Sequence, residues 1–483
     1  MTRFLCLSTL IAAALLCAQT ALAVDKLPTS PQLFVDLHRV ENAHASGRWK
    51  RMDNIHRQFH QAKVHPRRVL TLKAPWEHHG FTTSTIYDDE ENIFKMWYHT
   101  AVAPGHGVMC YATSEDGIEW VRPDLGLFDY EGSKANNIVM THEPHEGKDH
   151  FETVLKDPLE KDPARRYKAI GWSSYDWDGP MSGIYTAVSP DGLNWTVMPE
   201  PVFHYHPRPG TDDLGPVGDA QSMMIDTLKN RYVAFLRHFP HRAISYSDDF
   251  VKWTQPETFI RTRHHRTEFY NSSGFVYSDI YLGIVTVFNL DQQVHEMNCH
   301  LLTSRDCRHW EMPETERPLI ECGGIGEWNR FCTWNGGSPP IRCGDQLYLY
   351  FRGAARRHGP YEGPDNTEAP IHIGLAKLRV HGFASMGSSF DGGQFLTTRW
   401  GIDGGQLVLN AKSDYGEIRV ELQDENEKPL PGYSLEDCDP VTADGLELPV
   451  TWKDQPDLSG AAGKTVRIRF QLKNARLYSY RRM

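Results

Sequence analysis

From residue 93 onward the chain returns repeatedly to short runs crowded with aromatic and β-branched side chains. Ile93-Phe94-Lys95-Met96-Trp97-Tyr98, Tyr167-Lys168-Ala169-Ile170-Gly171-Trp172, Tyr232-Val233-Ala234-Phe235-Leu236, Tyr281-Leu282-Gly283-Ile284-Val285-Thr286-Val287 and Leu347-Tyr348-Leu349-Tyr350-Phe351 share this character. Such residues suit a pleated, half-buried surface, and the Gly, Pro, Asn and Asp between the runs predict turns. No helix-period segment of useful length competes with them. Four of the runs are followed by one frame, Ser-x-Asp-x-x-x-Trp. It occurs at Ser114–Trp120, Ser189–Trp195, Ser247–Trp253 and Ser304–Trp310, so the tryptophans recur after 75, 58 and 57 residues. In each copy the Ser and Asp side chains are placed to accept from backbone amides two or three residues on, and Gly117 or Gly192 supplies a positive φ where the chain reverses. The tryptophan then starts the next strand and is expected to bury its ring between neighbouring units.

One such turn means little, but four in register mean a repeat. The fifth run is followed by Ile371-His372-Ile373-Gly374-Leu375-Ala376 and lacks the tryptophan turn. Five units of about four strands each predict a five-bladed β-propeller, with blades near 76–122, 145–200, 214–258, 264–314 and 327–386. A ring of blades exposes a sheet edge unless both termini contribute strands, and Gln32-Leu33-Phe34-Val35-Asp36 is the expected outer strand of the last blade. After Phe383 the pattern changes to an alternation of apolar and polar residues, in Gln406–Asn410, Glu417–Gln423 and Val466–Leu472. That period describes strands with one buried face and predicts an antiparallel β-sandwich. The expected organisation is all-β: residues 1–23 a leader, 24–386 a propeller, and 387–483 a sandwich.

The leader is read from Arg3, the apolar stretch Phe4 to Ala18, and the Ala21-Leu22-Ala23 cleavage pattern. It predicts export to the periplasm or outside the cell, and it is too short to span a bilayer. The formal charge of −11 disfavours nucleic acid or an anionic membrane as partner. Beyond the leader stand Cys110, Cys299, Cys307, Cys322, Cys332, Cys343 and Cys438, an odd number without a C-x-x-C pair. The spacing fits no zinc ribbon and leaves two readings, one or two disulfides among Cys299–Cys343 or small buried thiols. No pattern calls for a cofactor, and nothing supports a calcium ion in the channel.

In a propeller the first strand of each blade lines a central channel, so residues at its mouth converge. That position lies about thirteen residues before each aromatic run. It holds Asp219 and Gln221 in the third unit, Glu268 and Tyr270 in the fourth, and His150 and Glu152 in the second. The first unit offers His79 and the fifth Glu327 and Trp334. Acids from consecutive blades projected to one mouth suit glycoside cleavage, where one carboxyl protonates the leaving oxygen and another activates water or attacks the anomeric carbon. Crowding separates their pKa values. The expected roles are Glu268 as proton donor, Asp219 as base or nucleophile and Glu152 as pKa modulator, with His79, His150, Gln221, Tyr270, Glu327 and Trp334 contacting the sugar.

The chain resembles the five-bladed propeller glycosidases that include glycoside hydrolase families 32 and 43. Within them it is most similar to secreted family 32-like proteins of planctomycetes and related bacteria. Leu33-Phe34-Val35-Asp36, His65-Pro66, Ile86-Tyr87-Asp88-Asp89, Tyr111–Trp120, Pro431–Cys438 and Val466–Phe470 carry the resemblance. Family 32 enzymes place a nucleophilic Asp in Asn-Asp-Pro-Asn-Gly; here the first blade reads Trp76-Glu77-His78-His79-Gly80, without an aspartate. No Arg-Asp-Pro occurs, and Glu321-Cys322 falls in the wrong blade, so fructan hydrolysis is not implied. The resemblance implies a secreted glycoside hydrolase acting on an oligo- or polysaccharide. The alternative is a carbohydrate-binding propeller without catalysis.

Overall fold

A computed structural model describes residues 24–41, 52–77, 79–103, 106–141, 150–173, 179–291, 294–359 and 370–483, without the side chains of 79–82, 101–103, 106 and 150. The expected leader, residues 1–23, lies outside the described residues. The protein is all-β, and its helical turns among the described residues are two, Pro163–Arg165 and Ser459–Ala461. No helix there is long and apolar enough to cross a membrane.

The repeats appear as antiparallel sheets built in chain order. His79–Asp88, Ile93–Ala103, His106–Ser114 and Ile138–Thr141 form the first. His150–Lys156, Tyr167–Ser173 and Gly183–Ser189 form the second, completed outside by Thr196–Val197 and Phe203–His204. Gly218–Asp226, Arg231–His238, His241–Ser247 and Glu257–Ile260 form the third. Thr267–Tyr277, Ile280–Asn289 and Met297–Ser304 follow, and one parallel pair, Met297 with Cys332, joins them to Cys332–Asn335, Gln346–Ala354 and His372–Arg379.

The outer strand beside His372–Arg379 is Lys63–Val64, which pairs with Lys377 and Ala376. This corrects the expectation for residues 32–36. Gln32 and Leu33 pair instead with Tyr480 and Ser479 of the C-terminal strand. An apolar run satisfies any open edge with an apolar face beneath it, so its pattern does not choose between edges.

The four tryptophan turns form as expected. Ser114, Ser189, Ser247 and Ser304 each accept from the amide three residues on. Asp116, Asp191, Asp249 and Asp306 accept from the second and third amides beyond them. Where the first two copies use Gly117 and Gly192, the others force Phe250 and Cys307 to φ of 63° and 61°. The rings bridge neighbours: Trp120 meets Tyr350, Trp253 meets Phe203, and Trp310 meets Phe235.

A second repeated device lies at the far end of the first strands. Asp88, Asp157 and Asp226, all buried, accept from the hydroxyls of Tyr167, Tyr232 and Tyr281 of the following sheet at 2.9, 2.6 and 2.9 Å. First strands also touch in sequence. Ser84 exchanges hydrogen bonds with the Val154 backbone, and Ser222 Oγ donates to the Ser272 carbonyl. Asn271 donates to the Asn335 carbonyl, and Ser338, just past the last of these strands, accepts from the Thr85 amide of the first.

The remaining strands make two further antiparallel sheets. One orders Asp444–Pro449, Leu407–Lys412, Ala475–Arg482, Ala384–Ser388 and His56–Phe59, with Gln32–Leu33 also on Ala475–Arg482. The other orders Met52–Asp53, Gly393–Gly401, Thr465–Lys473 and Glu417–Gln423. Within 24–41 and 52–59 the chain thus pairs with the C-terminal sheets, and the expected boundary at 386/387 falls inside Ala384–Ser388. The seven cysteines among the described residues are free thiols, which corrects the disulfide reading of Cys299–Cys343.

Candidate functional site

The first strands share an irregularity at one end. Opposite Ile170 and Gly171 stand Thr153 and Phe151, which leaves Glu152 as an extra residue. Opposite Phe269 and Asn271 stand Val287 and Thr286, which leaves Tyr270. Between the pairs Gly218–Arg237 and Ser222–Phe235, the residues Asp219, Ala220 and Gln221 bulge out against one partner. The first sheet repeats the break at Phe81. A bulge interrupts the in–out alternation and re-aims the side chain it carries. Ala220 holds a φ of 65° there, a left-handed conformation that costs a residue with a Cβ about 1 kcal/mol or more. Its carbonyl accepts from Arg242 Nη2 at 2.7 Å.

Arg237 is the hub. It forms ion pairs with Asp219 through Nη1 and with Glu268 through Nη2, the latter at 2.6 Å, and its Nε adds a 2.9 Å bond to the same Glu268 oxygen. Its guanidinium lies 4.6 Å from the centre of the Tyr270 ring. Burial opposes the Arg237 charge, and Asp219 and Glu268 more than restore it, raising its pKa. The Asp219 side chain is 44 % exposed and that of Glu268 is 4 %. Burial raises the Glu268 pKa, aided by Asp219 and opposed by Arg237 and Arg242.

Glu152 is the most perturbed acid of the cluster. Burial, reinforced by the charge of Asp219, pushes its carboxyl up to about 8 against the pull of Arg352, Arg242 and Arg237. It therefore carries a proton at neutral pH while the ion-paired Asp219 stands nearby. Tyr270, also raised by burial, stays a neutral phenol. His358 touches the ring edges of Tyr270 and Trp334 at 4.9 and 5.8 Å. Burial and the charges of Arg237 and Arg352 hold His358 down at about 4, so it is neutral too.

The structure therefore brings together Asp219, Glu268, Glu152, Tyr270 and Trp334 of the expected set, with Gln221 on the same bulge. Gln221 is 1 % exposed, and neither atom of its amide has a partner. His79 and His150 lie on strands, but their side chains fall outside the described residues. Glu327 is exposed on the turn that its amide closes with the Gly324 carbonyl, and no described contact joins it to the cluster. Sequence reasoning missed Arg237, Arg242, Arg352 and His358. A signal for two of them exists: Arg237 and Arg352 each end an aromatic run, and hairpin pairing with Gly218 and Trp334 returns them to the mouth of the first strands. No group of three or more metal-ligating side chains occurs among the described residues.

No family profile matches the chain, and no curated protein does. Among solved structures it is similar to a glycoside hydrolase (TM-score 0.48, 12 % identity, 65 % of this chain and 92 % of that one). It is also similar to an N-acetylgalactosamine deacetylase from F. plautii in complex with blood group B trisaccharide (0.43, 14 %, 69 % and 97 %). A third is the catalytic domain of the Coprinopsis cinerea GH62 α-L-arabinofuranosidase (0.44, 13 %, 66 % and 97 %).

Proposed function

We propose that the chain is an exported glycoside hydrolase acting on an oligo- or polysaccharide at the axis of a five-bladed propeller, with a C-terminal sandwich as accessory. The bonds from Ser84 to Val154, Ser222 to Ser272, Asn271 to Asn335 and Thr85 to Ser338, with His150–Lys156 lying beside Gly218–Asp226, support the ring. What carries the chemistry is a buried Glu152, its carboxyl pushed up to about 8, within electrostatic reach of the half-exposed, ion-paired Asp219. In this reading Glu152 gives its proton to the departing glycosidic oxygen, and Asp219 takes a proton from the attacking water or attacks the anomeric carbon itself. Glu268 was the donor expected from sequence. Burial raises its pKa as well, but its bonds to Arg237 Nε and Nη2 engage it in holding that guanidinium, so the donor role passes to Glu152, the more strongly raised of the two.

Hydrolysis of a glycan panel by the full chain tests the reading. Asp219→Asn and Glu152→Gln should each lower kcat by about 10²–10⁴-fold. Unchanged turnover in both variants rejects it. One observation favours the alternative, carbohydrate binding without catalysis: Arg237 occupies both Asp219 and Glu268. That alternative predicts glycans retained on the immobilised protein and recovered uncut.

A further inference from the structure

The charges of the cluster do not balance. Three guanidinium groups meet there, and only Arg237 is matched, by Asp219 and Glu268. Arg242 is fully buried and donates to neutral acceptors alone: the Ser272 hydroxyl and the carbonyls of Tyr270, Ala220 and Phe235. Arg352 is 7 % exposed, its Nε has no hydrogen-bond partner, and it makes no ion pair among the described residues. It stands 5.6 Å from the centre of the Trp334 ring, and the strongest attraction it feels comes from Glu152. That neighbour supplies no negative charge at neutral pH, because burial keeps it protonated up to about 8. A buried guanidinium is stable when an anion or a set of acceptors meets its donors, and Arg352 lacks both. Gln221, equally buried, adds an amide with no partner at either end.

We infer that the site takes a sugar bearing a carboxylate, a uronic acid residue, with Arg352 as the seat of the carboxylate and the Gln221 amide meeting a neighbouring hydroxyl. The planar fork of a guanidinium matches a planar carboxylate with two parallel hydrogen bonds. Three guanidiniums against the two carboxylates on Arg237 leave a net charge of one, which asks for one negative charge, and Arg352 is the group whose donors lack acceptors. Trp334 beneath the guanidinium holds the fork in place, and the exposed side of Asp219 leaves the reaction centre reachable. The inference rests on the glycosidase reading for its location, but binding can be measured separately from cleavage.

The test is calorimetric titration of the full chain with uronate-containing oligosaccharides. Each is paired with the same oligosaccharide after reduction of its carboxyl to the neutral sugar. The uronate form should bind about tenfold tighter or better, and Arg352→Met should abolish most of that preference. Arg352→Lys, which keeps the charge but not the fork, should retain an intermediate preference. Equal binding of the two forms, binding of neither, or stronger binding of a sulfated oligosaccharide overturns the inference, as does an Arg352→Met protein with undiminished preference. If Arg352→Met does not fold, the wild-type comparison decides alone. Cleavage of neutral glycosides with no response to uronates sinks this inference and leaves the glycosidase reading standing. Selective binding of uronates that are never cut does the reverse.

Discussion

Glu152 makes a claim about stability as well as catalysis. Its carboxyl titrates near 8 in the folded protein and near 4.3 when the chain is unfolded. A folded pKa above the unfolded one means that the native state holds the proton more tightly. The stabilisation from that proton is complete below about pH 4 and is lost as pH rises through 8. Among the described residues the charges that act most on Glu152 are Arg352, Asp219, Arg242 and Arg237, and the three arginines limit the loss without cancelling it. Glu152→Gln keeps the shape without the titration. Thermal melts should place it level with wild type near pH 4.5 and above it at pH 8, the gap widening steadily between. A constant gap, or one that narrows, would show that the carboxyl is not held protonated. At this scale the acids of the second, third and fourth units were legible because they stand about thirteen to fifteen residues before an aromatic run. Arg237 and Arg352 were not, since a basic residue closing a strand reads as a solvated end until the hairpin register turns it inward.

At the scale of elements, the tryptophan turns were legible down to their hydrogen bonds, because Ser, Asp and Gly act on amides two and three residues away. The aspartate–tyrosine contacts between sheets were not legible, since each joins residues 55 to 79 positions apart. Asp226 is the most enclosed of the three, with 0 % exposure. It accepts from Tyr281 Oη at 2.9 Å and Arg231 Nε at 3.0 Å. Asp226→Asn preserves the volume but sets an amide against a guanidinium. The loss should be about 3 kcal/mol, the low end for a broken buried pair, because Arg231 keeps some contact with water. Asp306→Ala, in an exposed turn, should cost about 1 kcal/mol through its lost amide bonds. Urea midpoints of the two variants decide: equal shifts would mean that the contacts between sheets contribute no more than a surface turn. Paired strands as short as Lys63–Val64 escape any periodicity argument, and this one was missed for that reason.

For the whole molecule, the all-β character followed directly from the strand pattern, but the place of the N-terminal segment did not. Residues 32–36 were assigned to the repeats because a ring must close. What they meet is the part of Ala475–Arg482 that Ala384–Ser388 leaves unpaired, at Ser479 and Tyr480, and Lys63–Val64 takes the place expected of them. Around that stretch Leu27, Leu33, Phe34, Val35 and Val40 are all under 10 % exposed and belong to one core cluster with Phe395, Trp400, Phe470 and Tyr480. The Phe34 ring meets Phe395 edge-on at 5.6 Å, Arg39 lies 4.4 Å from the centre of the Trp400 ring, and Arg467 pairs with Glu41 at 2.8 Å. Each of those apolar side chains contributes about 1.5–3 kcal/mol by leaving water, and a chain of about one hundred residues has a net stability of only about 5–15 kcal/mol. The fragment 387–483 lacks Leu27, Leu33, Phe34, Val35 and Val40, and it also loses the first residues of the Ala384–Ser388 strand that pairs with Ala475–Arg482. Expressed alone it should therefore fail to fold, giving no cooperative melt and collapsed amide dispersion. A fragment of 384–483 to which residues 24–59 are joined by a flexible linker should recover both. Cooperative unfolding of 387–483 by itself would mean that the N-terminal segment is a passenger on a self-sufficient sandwich.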